Sequence, residues 1–347
     1  SSALAVVAKH KTQFGKYEQA FLNDVNLTDG YRVVFDFIEK EPATAGTIWQ
    51  SIKDKEQKFL SPFSLQMILR IREKTLDFSN RTMVMGIINI NDDSFSGDGT
   101  LDQYKAMQMA LEKVDQGADI IDVGAESART NRGPITINEE VDRLIPFIDA
   151  FHSFNWNEER KKPLLSINTW RPEVTKKIVP LGIDILNDIG ALNQSDNAEI
   201  CAKYGSSLLI MHSIGLPKEP HLGQKYENII DEINIFFEKK IQFAESVGLK
   251  REQIILDPGI DFAKDCKDNL QILNDLNIFQ KHGRPILVPV SRKTVIGEVL
   301  GIDDPNERDA GTVACSVSSI LRGASILRVH NVIAASQTVR MISSLME

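Results

Sequence analysis

Asn89, Asp92, Asp93 and Asp98 fall with three glycines in the run MGIININDDSFSGDG, residues 85–99. An oxygen-rich loop of this kind suits Mg²⁺ held against phosphate oxygens, although Asp and Gly clusters also make ordinary turns. In GADIIDVGAESARTNRG, residues 117–133, Glu126 is closely followed by Arg129 and Arg132. Guanidinium groups so placed can meet an anion, and a solvated surface loop is the plain alternative. Asn187 in ILNDIG and Asp257 in IILDPGIDFAKD offer an amide and a carboxylate. Together they can read the edge of a flat heterocycle that carries adjacent N–H donors and ring acceptors. Lys293 in VSRKTVIG and Lys264 beyond Asp257 add point-charge donors, unless structural salt bridges engage them. Arg328 and His330 alternate in LRVHNV, which on a strand turns both to one side as an anion clamp.

These groups need a frame that brings them together. From Met83 onward the chain alternates short β-branched runs with longer amphipathic segments, the pattern of βαβ units. The predicted strands are 83–88, 119–123, 164–167, 183–186, 207–211, 254–256, 286–290 and 325–329. Between them lie helical spacings such as Tyr104, Met107, Leu111 and Val114, and the long run from Tyr226 to Val247. Eight such units favour an α/β fold closed as a (β/α)₈ TIM barrel over an open doubly wound sheet. Each predicted strand is followed by polar residues: Asn89, Gly124 to Glu126, Asn168, Asn187 with Asp188, His212, Asp257, Ser291 to Lys293, and Arg328 to His330. In a barrel all of these converge on the C-terminal rim, where such enzymes do their chemistry.

Residues 1–75 stand outside the repeat as an N-terminal, α-rich extension before a barrel domain at 76–347. They suggest helices around Tyr17–Val25 and Phe63–Glu73 and a strand-like piece around Tyr31–Phe37, with no catalytic constellation. The N-terminal apolar run lacks a preceding basic region, so no signal peptide is expected. No stretch reaches the roughly 20 apolar residues of a membrane span, so a soluble protein is expected. A formal charge of −8 argues against a general nucleic-acid binder and makes any phosphate site local. Cys201, Cys266 and Cys315 form no CxxC pattern, which suits a reducing cytoplasm.

In order along residues ~75–347, the runs GIININDDSFSGDG, GADIIDVGAES, ILNDIG, LLIMHSIG, LDPGIDFAKD, VSRKTVIG and ILRVH resemble the successive motifs of the dihydropteroate synthase family. The resemblance implies a transferase of folate biosynthesis. It would condense 6-hydroxymethyl-7,8-dihydropterin diphosphate with p-aminobenzoate, release pyrophosphate with the help of Mg²⁺, and form a homodimer. Carried over motif by motif, it implies Asn89 on Mg²⁺, and Asn187, Asp257 and Lys293 on the pterin with Met211 and Asn168 lining the site. Arg328, His330 and Arg129 would hold the diphosphate. Thr294, where the family usually has Ser, would meet the p-aminobenzoate carboxylate, and Phe262 would lie along its ring.

The chain also departs from the pattern. The third strand reads SINTW, so Asn168 stands where the family has Asp; if that charge steadies a developing pterin cation, its loss costs about 2 to 4 kcal/mol. Ala128, Thr130, Asn91, Asp92, Asp261 and Ala263 also replace family residues, mostly on the acceptor side. Two alternatives therefore accompany the synthase reading. One is a non-catalytic or altered-specificity pterin-binding paralogue, favoured by Asn168. The other is a pterin-dependent methyl-transfer module, which has no use for the Arg328–His330 clamp or a Mg²⁺-binding first loop.

Overall fold

The structure, a computed structural model, describes residues 67–79, 81–91, 99–127, 133–215, 217–218 and 224–346. All lie in one of the chain's two compact units, Gln66–Glu347. It begins with a hairpin of β1 (Ile68–Ile71) and β2 (Lys74–Asp77). The described part of the helix expected around Phe63–Glu73 is therefore strand and turn. Leu69 and Ile71, two residues apart, are both fully buried while Arg70 between them is exposed, a period-two pattern that four residues are too few to reveal. The expected helix at 17–25 and strand-like piece at 31–37 lie outside the described residues.

Eight parallel strands follow: β3 (Met83–Asn89), β4 (Ile120–Gly124), β5 (Leu164–Asn168), β6 (Ile185–Asp188), β7 (Ser207–Met211), β8 (Ile254–Asp257), β9 (Leu287–Val288) and β10 (Ile326–Val329). Helices α1 (Gln103–Asp115), α2 (Ile137–Ser153), α3 (Pro172–Ile178), α4 (Asp196–Tyr204), α5 (Ile229–Ser246) and α6 (Cys266–Asn274) cross between β3 and β9. The connection from β9 to β10 carries two, α7 (Thr294–Leu300) and α8 (Asp309–Leu321), and α9 (Val332–Met346) closes the chain. Strands pair in the order β8-β7-β6-β5-β4-β3-β10-β9, and a parallel bridge between Leu256 and Ile286 joins the two ends. The (β/α)₈ barrel expected from the alternation is what the chain forms. Strand β9 is shorter than its apolar run because Pro285 and Pro289 flank it and cannot donate to the ladder.

The strands sort their side chains by parity. Outward residues such as Ile121, Ile167, Leu208 and Leu256 join the helices in the larger core. Inward residues Met85, Ile120, Leu164, Ile185, Leu209, Ile255, Leu287 and Ile326 make a second core inside the barrel, with Leu69, Ile71 and Phe78 of the hairpin. Two residues further along, the inward position turns polar on five of the strands: Asp122, Ser166, Asn187, Asp257 and Arg328. An apolar floor thus carries a polar layer that opens on the C-terminal rim.

Candidate active site

Asp122 is the hub of that layer. It is fully buried on β4, accepts Ser166 Oγ at 2.5 Å from β5, Asn187 Nδ2 at 3.1 and 3.2 Å from β6, and Arg328 Nε at 2.7 Å from β10. Side chains from three other strands thereby share one carboxylate, which fixes the orientation of both Asn187 and Arg328. Asp257, on β8, accepts the Gly259 N–H at 2.7 Å. Burial pushes its carboxyl up to about 6, opposed by the charges of Lys293, Lys264 and Arg328. Lys293 donates to the Ile260 carbonyl at 3.1 Å and its ammonium lies 4.6 Å from the centre of the Phe262 ring. Burial lowers its pKa, opposed by Asp261 and Asp257. Lys264, brought down to about 7 by burial, donates to the carbonyls of Phe262 at 2.9 Å and His212 at 3.3 Å.

An apolar shelf lies beside these charges. Met211 belongs to the inner core, and Phe262 and Trp170 pack against it. A flat ring can rest there while its edge meets Asp257, Asn187 and Lys293. The Asn168 Oδ1 is buried with no hydrogen-bond partner among the described residues, an acceptor open to an N–H. After β9 and β10, His330 Nδ1 and Ser291 Oγ are 2.9 Å apart, and the His330 N–H donates to the same oxygen at 3.1 Å. Three basic side chains, Arg328, Lys293 and Lys264, stand among the carboxylates Asp122, Asp257 and Asp261.

Most of the residues named from sequence meet here: Asn168, Asn187, Met211, Asp257, Phe262, Lys293, Arg328 and His330. Asn89 ends β3 in register with Gly124, on the strand next to that of Arg328. Thr294 sits exposed on the rim as the first residue of α7. Arg129, with Asp92, Asp93 and Asp98, lies outside the described residues. Two rim residues turn away from the mouth. Asp188 faces outward, where it accepts from Gly190 and from Asn197 of α4 and is pushed up to about 6 by burial. His212 packs edge-on against Phe236 of α5. Glu126 is a brace rather than a partner for an anion: Arg171 bridges it at 2.7 Å and Glu140 of α2 at 2.8 Å, and it accepts the Ile135 N–H at 3.0 Å.

Asp122 and Ser166 escaped the sequence reading, which looked for polar groups after the strands. Their signal was inside the strands: a charge two residues beyond Ile120 in an otherwise apolar run, on the same parity as the rim. Among the described residues no group of three or more His, Cys, Asp or Glu could hold a metal ion.

A family model described as "Pterin binding enzyme" matches residues 85–330. The chain is similar to the dihydropteroate synthase of Escherichia coli strain K12, 35% identical over 271 residues that cover 78% of this chain and 93% of that protein. It is 37% identical to the Synechocystis enzyme of that name over 279 residues, 80% of this chain and 94% of the relative. Among solved structures, Yersinia pestis dihydropteroate synthase with a sulfonamide drug complex aligns with a TM-score of 0.74 and 32% identity, covering 80% of this chain and 99% of the other. The Xanthomonas albilineans enzyme in complex with 7,8-dihydropteroate gives 0.67 and 29%, over 80% and 98%.

Proposed function

Because the chain belongs to the pterin-binding enzymes, and among them to the dihydropteroate synthases, we propose that it joins 6-hydroxymethyl-7,8-dihydropterin diphosphate to p-aminobenzoate, giving 7,8-dihydropteroate and pyrophosphate. The observation that carries this reading is the polar layer at mid-barrel: a buried carboxylate, Asp257, beside an amide, a lysine and a flat apolar shelf, with cations at the mouth. Asp257 accepts the paired N–H groups of the pterin edge, and Asn187 and Lys293 serve its ring acceptors. Met211 and Phe262 cover the ring faces, and the open Asn168 Oδ1 takes a further N–H. Arg328 and His330, joined by Arg129, hold the diphosphate, while Thr294 and Phe262 receive the p-aminobenzoate.

The reaction then follows from charge. The arylamine nitrogen forms a bond to the pterin methylene as the bond to the diphosphate oxygen breaks, and the amine proton is released. Positive charge on the pterin falls near Asp122 and Asp257, and negative charge on the leaving group meets Arg328 and His330. Preorganised groups of this kind lower a barrier without reorganising. Mg²⁺ typically takes one or two protein oxygens and completes its shell with water and phosphate oxygens, so the Asn89 amide would suit an ion that arrives with the diphosphate. When bound, such an ion neutralises charge on the departing pyrophosphate.

Sulfonamides, one of which is bound to the Yersinia pestis relative, compete with p-aminobenzoate in this reading. The outward apolar side chains Val299, Leu300, Leu321, Ile333, Met341 and Leu345 support a homodimer through α7, α8 and α9, which sedimentation velocity tests. No helix among the described residues is long and apolar enough to cross a membrane. A cytoplasmic location is supported by three free cysteines and is checked by cell fractionation.

The deciding experiment is pyrophosphate release from the pterin diphosphate and Mg²⁺, with and without p-aminobenzoate. Acceptor-dependent release is expected. Saturable pterin binding without release would favour the non-catalytic alternative and identify Asn168 as its cause if Asn168→Asp restores turnover.

A further inference from the structure

Asp261 does two things at once. Its backbone is left-handed, with φ of 64°, a conformation Asp adopts more readily than most residues but still at some cost. Its carboxylate reaches from the loop after β8 to the start of α7, where it accepts the N–H groups of Thr294 and, at 3.3 Å, Val295. Asn269 of α6 holds it in place, donating Nδ2 to Oδ1 at 3.1 Å and accepting the Asp261 N–H at 2.9 Å. The two residues flanking this bridge are the two that touch each other in the mouth: Phe262, next to Asp261, and Lys293, next to Thr294.

We infer that Asp261 is a positioning residue, which locks the Phe262 and Lys293 loops together and sets a fixed negative charge facing the Lys293 ammonium. The inference rests on the synthase reading for its substrates, not for its geometry. Asp261 leads the groups that keep Lys293 protonated, with Asp257 of β8 next and Arg328 of β10 acting against them. Lys264, on the same loop, lies in the same field. A carboxylate that served only to tie two loops could lose its charge without moving the titration of Lys293. One that also holds Lys293 charged could not.

Two variants separate these roles. Asp261→Asn suits the left-handed backbone and keeps one of the two oxygens that accept from Thr294 and Val295, but removes the charge. Asp261→Gly relaxes the backbone and removes both tether and charge. For Asp261→Asn, the alkaline limb of kcat/KM for the pterin diphosphate is expected to move to lower pH by roughly one unit, the scale of a nearby opposite charge. Asp261→Gly should show the same displacement and also raise the KM for p-aminobenzoate about tenfold, with kcat little changed, because its loop is no longer held. The pH dependence of the dissociation constant for 7,8-dihydropteroate, followed by calorimetry, should move in the same way in both variants. An unchanged profile in Asp261→Asn, or an unchanged acceptor KM in Asp261→Gly, overturns the inference. If the native protein does not turn over, the synthase reading fails, and the calorimetric profiles still decide the role of Asp261.

Discussion

Asp257 is held in the barrel with its carboxyl raised from the ordinary 3.8 to about 6 by burial, and that displacement links binding to stability. A pKa that is higher in the folded state means that folding favours the protonated form. Its contribution to stability is full below about pH 4 and is lost as pH rises through 6. At pH 7 the buried anion therefore costs about 3 kcal/mol relative to an uncharged group, at 1.36 kcal/mol per pKa unit. Asp257→Asn keeps the acceptor for Gly259 N–H and removes the charge, so it is expected to stabilise the protein at pH 7 by about that amount, with no gain at pH 4. Urea melts at the two pH values test this. Pterin affinity should collapse in the same variant, and in the native protein it should weaken as pH falls through 6. A residue that is better for folding when altered, and worse for binding, is one kept for its chemistry.

The connecting elements show how strand ends become a site. The turn after β8 passes so close to the end of β7 that a Cβ on Gly259 would stand 2.0 Å from the His212 carbonyl oxygen, and its φ is +71°. Both constraints demand glycine. Gly259→Ala is expected to cost about 3 kcal/mol and to displace Asp257, whose carboxylate receives the Gly259 N–H. Thermal melts would show the loss of stability, and pterin titration a loss of affinity beyond it. The brace of Arg171 with Glu126 and Glu140 does the same for the loops after β4 and β5. It joins two buried carboxylates through one guanidinium and so links α2 to the rim.

At the scale of the molecule, the barrel is closed below by the β1–β2 hairpin and open above. Leu69 and Ile71 fill the inner core from beneath, Arg72 donates to the Ile183 carbonyl at 3.0 Å, and Arg284 reaches the Ile68 carbonyl at 2.7 Å. Stability and chemistry are thus kept at opposite ends. Leu69→Ala should lower unfolding free energy by about 3 kcal/mol, the ordinary loss for a buried leucine, while kcat and KM stay near native values below the melting transition. A change in KM as large as the change in stability would show that the floor and the mouth are coupled.

How much of this was legible beforehand depends on range. Periodicity is local, so the eight strands, the barrel and the rim residues Asn187, Asp257, Lys293, Arg328 and His330 could be read from runs of five to ten residues. The hairpin could not, because two buried positions carry too little pattern and only the barrel beneath which they sit explains their burial. Asp122 could not, because its meaning is its partners: Arg328 lies 206 residues away, and Asn187 and Ser166 come from two further strands. Asp261 was visible only as a departure from a family pattern, until α7 came to lie against it. Which residues line the mouth follows from strand parity, a property of the sequence. Which of them share a charge follows from barrel closure and strand order, which place side chains opposite one another and which only the tertiary structure decides.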